Sequence, residues 1–130
     1  MTRYLHTMVR ITDPARSQAF YEALGFTFQS EMDIVRNGER EATNYFFSIG
    51  DQQSVLELTF NHDGRAYDNG TGYGHIAIGV DDLDGTLGRL AEQGIEPERP
   101  PYTVRDGGNR ICFVRDPDDY RIEIVEQSGS

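Results

Sequence analysis

The chain has 130 residues, of which 37% are hydrophobic and 26% charged, values that favour one compact globular domain. Its formal net charge of −10 argues against a nucleic-acid partner, because binding a phosphate backbone requires clustered lysine and arginine. The sequence contains no apolar run near the roughly 20 residues that span a bilayer, no signal-peptide pattern and a single cysteine, which suits a reducing compartment. We therefore expect a cytoplasmic protein that binds neither nucleic acid nor membrane.

The first half of the chain predicts a strand, a helix and further strands. The segment LHTMVRI alternates as a strand does, and Asp13 followed by Pro14 is typical of a helix start. Apolar residues then recur at helical spacing as far as Gly25, which is placed to end the helix. The later strands are expected around residues 26–29, 42–49 and 55–61. The acidic stretch 31–41 is expected to be solvated and mobile.

The second half repeats the first. Aligned without gaps, YLHTMVRITDPARSQAFYEALGF and YGHIAIGVDDLDGTLGRLAEQGI place His75 at an offset of 69 from His6, and later Glu123 lies at an offset of 66 from Glu57. Further strands are expected around residues 102–105, 110–114 and 121–125. We predict an α+β fold of two tandem βαβββ modules that form a curved mixed sheet. The expected boundaries are 4–61 for the first module, 62–72 for a linker and 73–126 for the second module.

Strand alternation separates two faces in each module, because successive side chains point to opposite sides. Glu57 lies between apolar Leu56 and Leu58, and Glu123 lies between Ile122 and Ile124. The same alternation places both histidines opposite the apolar positions of their own strands. We therefore expect all four polar side chains on the face that does not pack against a helix.

Two interpretations of these four residues are open. A single histidine on a strand is more often a hydrogen-bonded structural residue than a ligand, and a single mid-strand glutamate is more often solvent-facing. The duplication favours a metal site, since two imidazoles and two carboxylates suit a divalent transition ion with open coordination positions.

Three other features are assigned structural roles. His62 is expected in a loop and directed away from Glu57. Cys112 lacks a neighbouring group that would activate it, which favours a core position. The acidic run 116–119 resembles a calcium loop only loosely and is expected to be a turn.

With LHTMVRI, VLELTFN, GYGHIAIGV and DPDDYRIEI present in this order, the chain resembles the glyoxalase I family of the vicinal oxygen chelate superfamily. The resemblance extends from about Tyr4 to Glu126. It implies metal-dependent isomerisation of the methylglyoxal–glutathione hemithioacetal to its thioester, by proton transfer through a metal-stabilised enediolate, in the detoxification of 2-oxoaldehydes. It also implies a homodimer with each site between subunits, and Ni²⁺ or Co²⁺ as the metal, alternatively Zn²⁺. The implied metal ligands are His6, Glu57, His75 and Glu123.

The resemblance also assigns roles around the metal. It makes Glu123 the principal base, with Glu57 serving the opposite face or remaining a ligand. Arg10 and Asn61 match the positions that hold the γ-glutamyl end of glutathione, although a surface salt bridge is the alternative for Arg10. Arg105 is expected to cover the glycyl carboxylate. One departure is Asp119, which stands where the family has glycine, in a turn that favours a positive φ.

Other functions of the superfamily remain open at this point. A ring-cleaving dioxygenase would use two histidines and one carboxylate, which makes the fourth ligand superfluous. An acyl-CoA epimerase commonly carries glutamine at the position of Glu57. A non-catalytic drug-binding module of the same fold would generally lack the metal ligands.

Overall fold

The computed structural model describes residues 1–127, which contain eight strands and two helices. They fall into two compact units that divide between Asp68 and Asn69. The elements of the first unit are β1 (Thr7–Ile11), α1 (Pro14–Leu24), β2 (Thr27–Arg36), β3 (Glu39–Ile49) and β4 (Gln52–Asn61). Those of the second unit are β5 (Ile76–Val80), α2 (Leu83–Ala91), β6 (Tyr102–Thr103), β7 (Arg110–Arg115) and β8 (Arg121–Glu126).

Each unit contains a four-stranded mixed sheet. The strand order is β1-β4-β3-β2 in the first unit and β5-β8-β7-β6 in the second, and in both the first strand runs parallel to the last. The two parallel pairs also share one register, since Met8 lies beside Glu57 and Ala77 lies beside Glu123. The two halves are therefore the same βαβββ unit used twice, as the sequence predicts.

The first helix begins as the sequence predicts, and the second begins with the same kind of cap. The Asp13 carboxylate accepts a hydrogen bond from the Arg16 N–H at 3.2 Å, and the Asp82 carboxylate accepts one from the Gly85 N–H at 3.0 Å. Such caps satisfy backbone donors that have no partner inside the helix. Gly25 ends α1 with a φ of 112°, a conformation that costs glycine little.

One face of each sheet packs against its helix. In the first unit the fully buried Tyr21 of α1 contacts Phe47 of β3, with ring centroids 6.5 Å apart. In the second unit the buried side of α2 is formed by Leu83 and Leu90, both fully buried. Apolar strand residues complete the two cores, among them Ile11, Leu56, Leu58, Cys112, Val114, Ile122 and Ile124.

The expectation of a mobile stretch at residues 31–41 is wrong. These residues form the outer part of a long hairpin between β2 and β3. Asn37 and Gly38 connect the strands with positive φ values of 53° and 78°, which is the two-residue turn that matches the twist of paired strands. The acidic side chains are solvated, but the backbone beneath them is paired.

Two smaller differences concern the strand ends. Each histidine lies one residue before its strand, since β1 begins at Thr7 and β5 at Ile76. Leu5 accordingly lies outside the core, with 65% of its surface exposed.

Of the helices in the described part of the chain, neither has the length and apolar character that crossing a membrane requires.

Candidate metal and substrate site

Each unit brings one histidine and one glutamate together. In the first unit His6 Nε2 lies 3.7 Å from Glu57 Oε1, and in the second His75 Nε2 lies 3.3 Å from Glu123 Oε1. The histidine side chains are 36% and 38% exposed, and the carboxylates are 13% and 21% exposed. Both pairs are thus accessible, and their donor atoms converge.

A phenylalanine supports each pair. Phe46 of β3 lies directly across from Glu57, and Phe113 of β7 lies directly across from Glu123. Each presents its ring to the edge of the neighbouring imidazole, with centroid separations of 6.2 Å for His6 and 5.2 Å for His75. An edge-to-face contact of this kind restricts the orientation of an imidazole ring. The sequence analysis missed both phenylalanines, because only the strand register reveals them.

The donor atoms fit a divalent transition ion. Imidazole nitrogen and carboxylate oxygen are ligands that such ions accept, and two pairs together would supply four donors and leave coordination positions open. Among the described residues, no group of three or more His, Cys, Asp or Glu side chains is close enough to hold a metal ion. Each unit by itself therefore presents a two-donor pair.

The face of the first sheet that carries Glu57 also carries polar side chains. Arg10 of β1 lies beside Thr59 of β4, and Thr59 donates a hydrogen bond to the Asn44 amide oxygen at 2.8 Å. Asn61 lies two residues beyond Thr59, at the end of β4. Within residues 1–127 the guanidinium of Arg10 has no ion pair or hydrogen bond, so the alternative salt-bridge role finds no partner there.

Arg105 lies outside the regular elements. It follows β6 in the loop 104–109, where its carbonyl accepts a hydrogen bond from the Gly108 N–H at 3.0 Å, and its side chain is exposed. Its assignment to the glycyl carboxylate of glutathione stays a prediction.

Tyr73 is a third residue that the sequence analysis missed. Its hydroxyl donates a hydrogen bond to the Arg121 carbonyl at 3.1 Å and so links the segment before His75 to the start of β8. Burial, with a smaller contribution from Asp116, raises the pKa of Tyr73 to about 12, so the hydroxyl stays a donor at neutral pH. The gapless alignment pairs it with Tyr4, which is 68% exposed, so the tether belongs to the second unit.

Two of the features assigned structural roles, Cys112 and the acidic run 116–119, keep them. Cys112 is fully buried, its thiol donates to the Arg99 carbonyl at 3.3 Å, and burial raises its pKa. The 116–120 turn is organised by the Asp116 carboxylate, which accepts backbone N–H bonds from Asp118 and Tyr120 at 2.8 and 2.9 Å. In that turn Asp119 has the positive φ, 69°, that its position favours.

Comparison with known proteins gives the family. The family model of the glyoxalase/bleomycin resistance protein/dioxygenase superfamily matches residues 3–124. The chain belongs to this superfamily. The predicted resemblance and fold class are therefore confirmed.

Two relatives of this chain are named as a probable lactoylglutathione lyase and a lactoylglutathione lyase. A probable lactoylglutathione lyase of Vibrio parahaemolyticus is 40% identical over 95% of this chain and 90% of its own length. The lactoylglutathione lyase of Haemophilus influenzae is 37% identical over 97% of this chain and 93% of its own length.

Solved structures agree with the sequence relatives. Glyoxalase I from Zea mays superposes with a TM-score of 0.86 at 31% identity over 98% of this chain. The match covers 46% of the maize chain, so this chain spans a little less than half of it. The trypanothione-dependent glyoxalase I of Leishmania major has a TM-score of 0.78 at 35% identity, over 97% of this chain and 87% of its own.

Proposed function

We propose that this protein is a glyoxalase I that isomerises the hemithioacetal of a 2-oxoaldehyde and glutathione to the corresponding 2-hydroxyacyl thioester. The observation that carries the proposal is the pair of His–Glu sites in identical strand registers, each braced by a phenylalanine. Identity of 37–40% to lactoylglutathione lyases over almost the whole chain supports the same reaction.

His6, Glu57, His75 and Glu123 hold one divalent ion per site. When bound, the ion supplies Lewis-acid stabilisation of the negative charge that develops on the substrate oxygens. Nickel or cobalt is the proposed metal, and zinc is the alternative. Because each unit presents only two donors, a complete site needs two pairs. We place them in a homodimer in which each site takes one pair from each chain, and we place the enzyme in the cytoplasm.

Glu123 moves the proton. It removes the proton from the carbon that carries sulfur and hydroxyl and returns a proton to the neighbouring carbon, while the hydroxyl proton passes to the neighbouring oxygen, so that the product has the same atoms as the substrate. Its side chain is 21% exposed against 13% for Glu57, which supports easier access for the substrate. Glu57 remains a ligand or serves the opposite face of the substrate.

Arg10 and Asn61 hold the γ-glutamyl end of glutathione. A guanidinium without an internal ion pair can bind a carboxylate with two parallel hydrogen bonds, and a side-chain amide both donates and accepts. Arg105 covers the glycyl carboxylate from the 104–109 loop. These residues lie outside the metal ligand set, so their loss is expected to weaken substrate binding while metal content is unchanged.

The test is an assay of metal-free protein with methylglyoxal and glutathione, followed by the ultraviolet absorbance of the thioester product. We expect no turnover without metal and recovery after addition of nickel, cobalt or zinc in parallel samples. Trypanothione in place of glutathione tests the choice of thiol. A protein that binds metal at all four ligands and forms no thioester with either thiol would contradict the proposal.

A further inference from the structure

We propose that Asp33, Thr43 and His62 form a hydrogen-bonded chain that positions Asn61 for substrate binding. The inference rests on the proposed function, which gives Asn61 a substrate to hold. This hydrogen-bonded chain lies on the face of the first sheet opposite Glu57. It links β2, β3 and the residue that follows β4 at one end of the sheet.

Thr43 is the centre of the chain. It is 1% exposed, and its hydroxyl donates to the Asp33 carboxylate at 2.7 Å. The His62 Nε2 lies 2.8 Å from the same oxygen. Since a hydroxyl has one proton and that proton is directed to Asp33, the hydroxyl accepts from His62, which fixes the proton of the imidazole on Nε2. The buried Thr43 hydroxyl thus has both a hydrogen-bond acceptor and a hydrogen-bond donor as partners.

His62 is fixed in two further ways. Its backbone N–H donates to the Glu41 carbonyl at 3.0 Å, which extends the pairing of β3 and β4 by one residue beyond the strand end. Its ring meets the Phe60 ring at a centroid distance of 4.8 Å and an angle of 88°. His62 was expected to be a loop residue directed away from Glu57, and these contacts place it on that opposite face.

The contacts of Phe60 and His62 determine the orientation of Asn61, which lies between them in the sequence. Phe60 and His62 are both held on the face opposite Glu57, and alternation along an extended chain then turns Asn61 to the face of Glu57. The Asn61 amide nitrogen donates to the Tyr67 hydroxyl at 2.6 Å. Within residues 1–127 its amide oxygen has no partner, so it can accept from a ligand. The geometry assigns Thr43 and His62 to positioning rather than to contact with the substrate.

The experiment compares two buried threonines. In Thr43→Val we expect the KM for the hemithioacetal to rise about three- to ten-fold, the effect of one misplaced hydrogen bond, with kcat unchanged. Thr43→Ser keeps the hydroxyl and should restore the wild-type KM. Thr86→Val is the matched control, because Thr86 is also 1% exposed and its hydroxyl bonds the Asp82 carbonyl at 2.9 Å in the second unit. Its KM should equal that of the wild type.

A second pair of variants tests the same inference if the Thr43→Val protein does not fold. His62→Phe keeps a ring against Phe60 and removes the donor, so we expect the same rise in KM. His62→Gln keeps a donor near Nε2 and should restore the wild-type value. A KM unchanged in both Thr43→Val and His62→Phe, or raised equally in Thr86→Val, would overturn the inference.

A readout without turnover separates this inference from the proposed function. The side-chain amide resonances of Asn61, assigned by their loss in Asn61→Asp, should shift in Thr43→Val and stay in place in Thr86→Val. Wild-type protein without turnover would refute the proposed function. The amide resonances would still show whether Thr43 positions Asn61. Unshifted resonances in Thr43→Val would overturn the positioning even in an active enzyme.

Discussion

Replacement of Glu123 by glutamine is the sharpest test of the proposed chemistry. The two side chains have the same shape, so the edge-to-face packing of His75 on Phe113 should persist, and an oxygen remains available near His75 Nε2, which lies 3.3 Å from the native carboxylate. What is lost is the basicity of the carboxylate. General-base catalysis contributes about 10²–10⁴-fold, which corresponds to about 3–5 kcal/mol in the activation free energy. We expect kcat to fall by that factor.

Glu57→Gln is the matched control, because Glu57 occupies the same register position in the first unit. We expect a smaller fall in kcat for this variant. Both proteins are loaded with nickel, and bound metal is measured by mass spectrometry before thioester formation is followed. A Glu123→Gln protein that carries a full complement of metal and turns over at the wild-type rate would refute the assignment of Glu123 as the base.

Three further predictions concern binding and stability. Arg10→Ala should raise the KM about ten- to hundred-fold at normal metal content, because a charged hydrogen bond to the substrate is lost, whereas Arg16→Ala, at an exposed position of α1, should leave it unchanged. Asp116→Ala should lower the free energy of unfolding by about 2–3 kcal/mol in urea denaturation, because two backbone N–H groups of the β7–β8 turn lose their acceptor. Hydrogen bonding from Arg121 lowers the pKa of Glu98, so its stabilising effect is present above the pKa of the unfolded chain and is lost as the pH falls through the lowered folded value. Glu98→Gln should therefore weaken the loss of stability on acidification, and an unchanged acid profile would contradict this.

The fold was predictable because the two halves of the sequence repeat one pattern and can be compared with each other. The single histidine at position 6 is ambiguous, but a second histidine at an offset of 69, together with a second glutamate at an offset of 66, leaves few arrangements of the strands. The structure shows why the two offsets work together, since they bring Met8 beside Glu57 and Ala77 beside Glu123 in equivalent positions. A duplicated sequence pattern thus encodes a duplicated register.

The outer part of the β2–β3 hairpin was missed although its signal was present. The Asn37-Gly38 pair is a strong two-residue turn signal, because both residues accept positive φ at low cost. Charges at positions 31, 33, 39 and 41 hid it, since they suggested a solvated stretch. On a hairpin with most side chains exposed, charge describes the surface and says little about backbone pairing.

Side-chain contacts between neighbouring strands could not be predicted from the sequence for a different reason. Phe46 and Phe113 support the two histidines only because β3 and β7 have a defined register against β4 and β8. Tyr67 reaches Asn61 from the segment that follows β4, which has no periodicity to predict its path. Strand alternation gives the face of a side chain, whereas its neighbour on that face depends on the register of a second strand.

The two modules share the His–Glu pairs but differ around them. The offsets that align the ligands place Gly79 at the position of Arg10 and Gln127 at the position of Asn61. In the second unit the Gln127 side chain lies over Gly79, in the space where a Cβ would stand. The second module therefore lacks the guanidinium and fills part of the equivalent space with its own amide. In the proposed site, which takes one pair from each kind of module, the metal ligands are symmetric while the groups that hold the thiol are not. Such a site would bind an unsymmetrical hemithioacetal in one orientation, which would account for the different tasks proposed for Glu123 and Glu57.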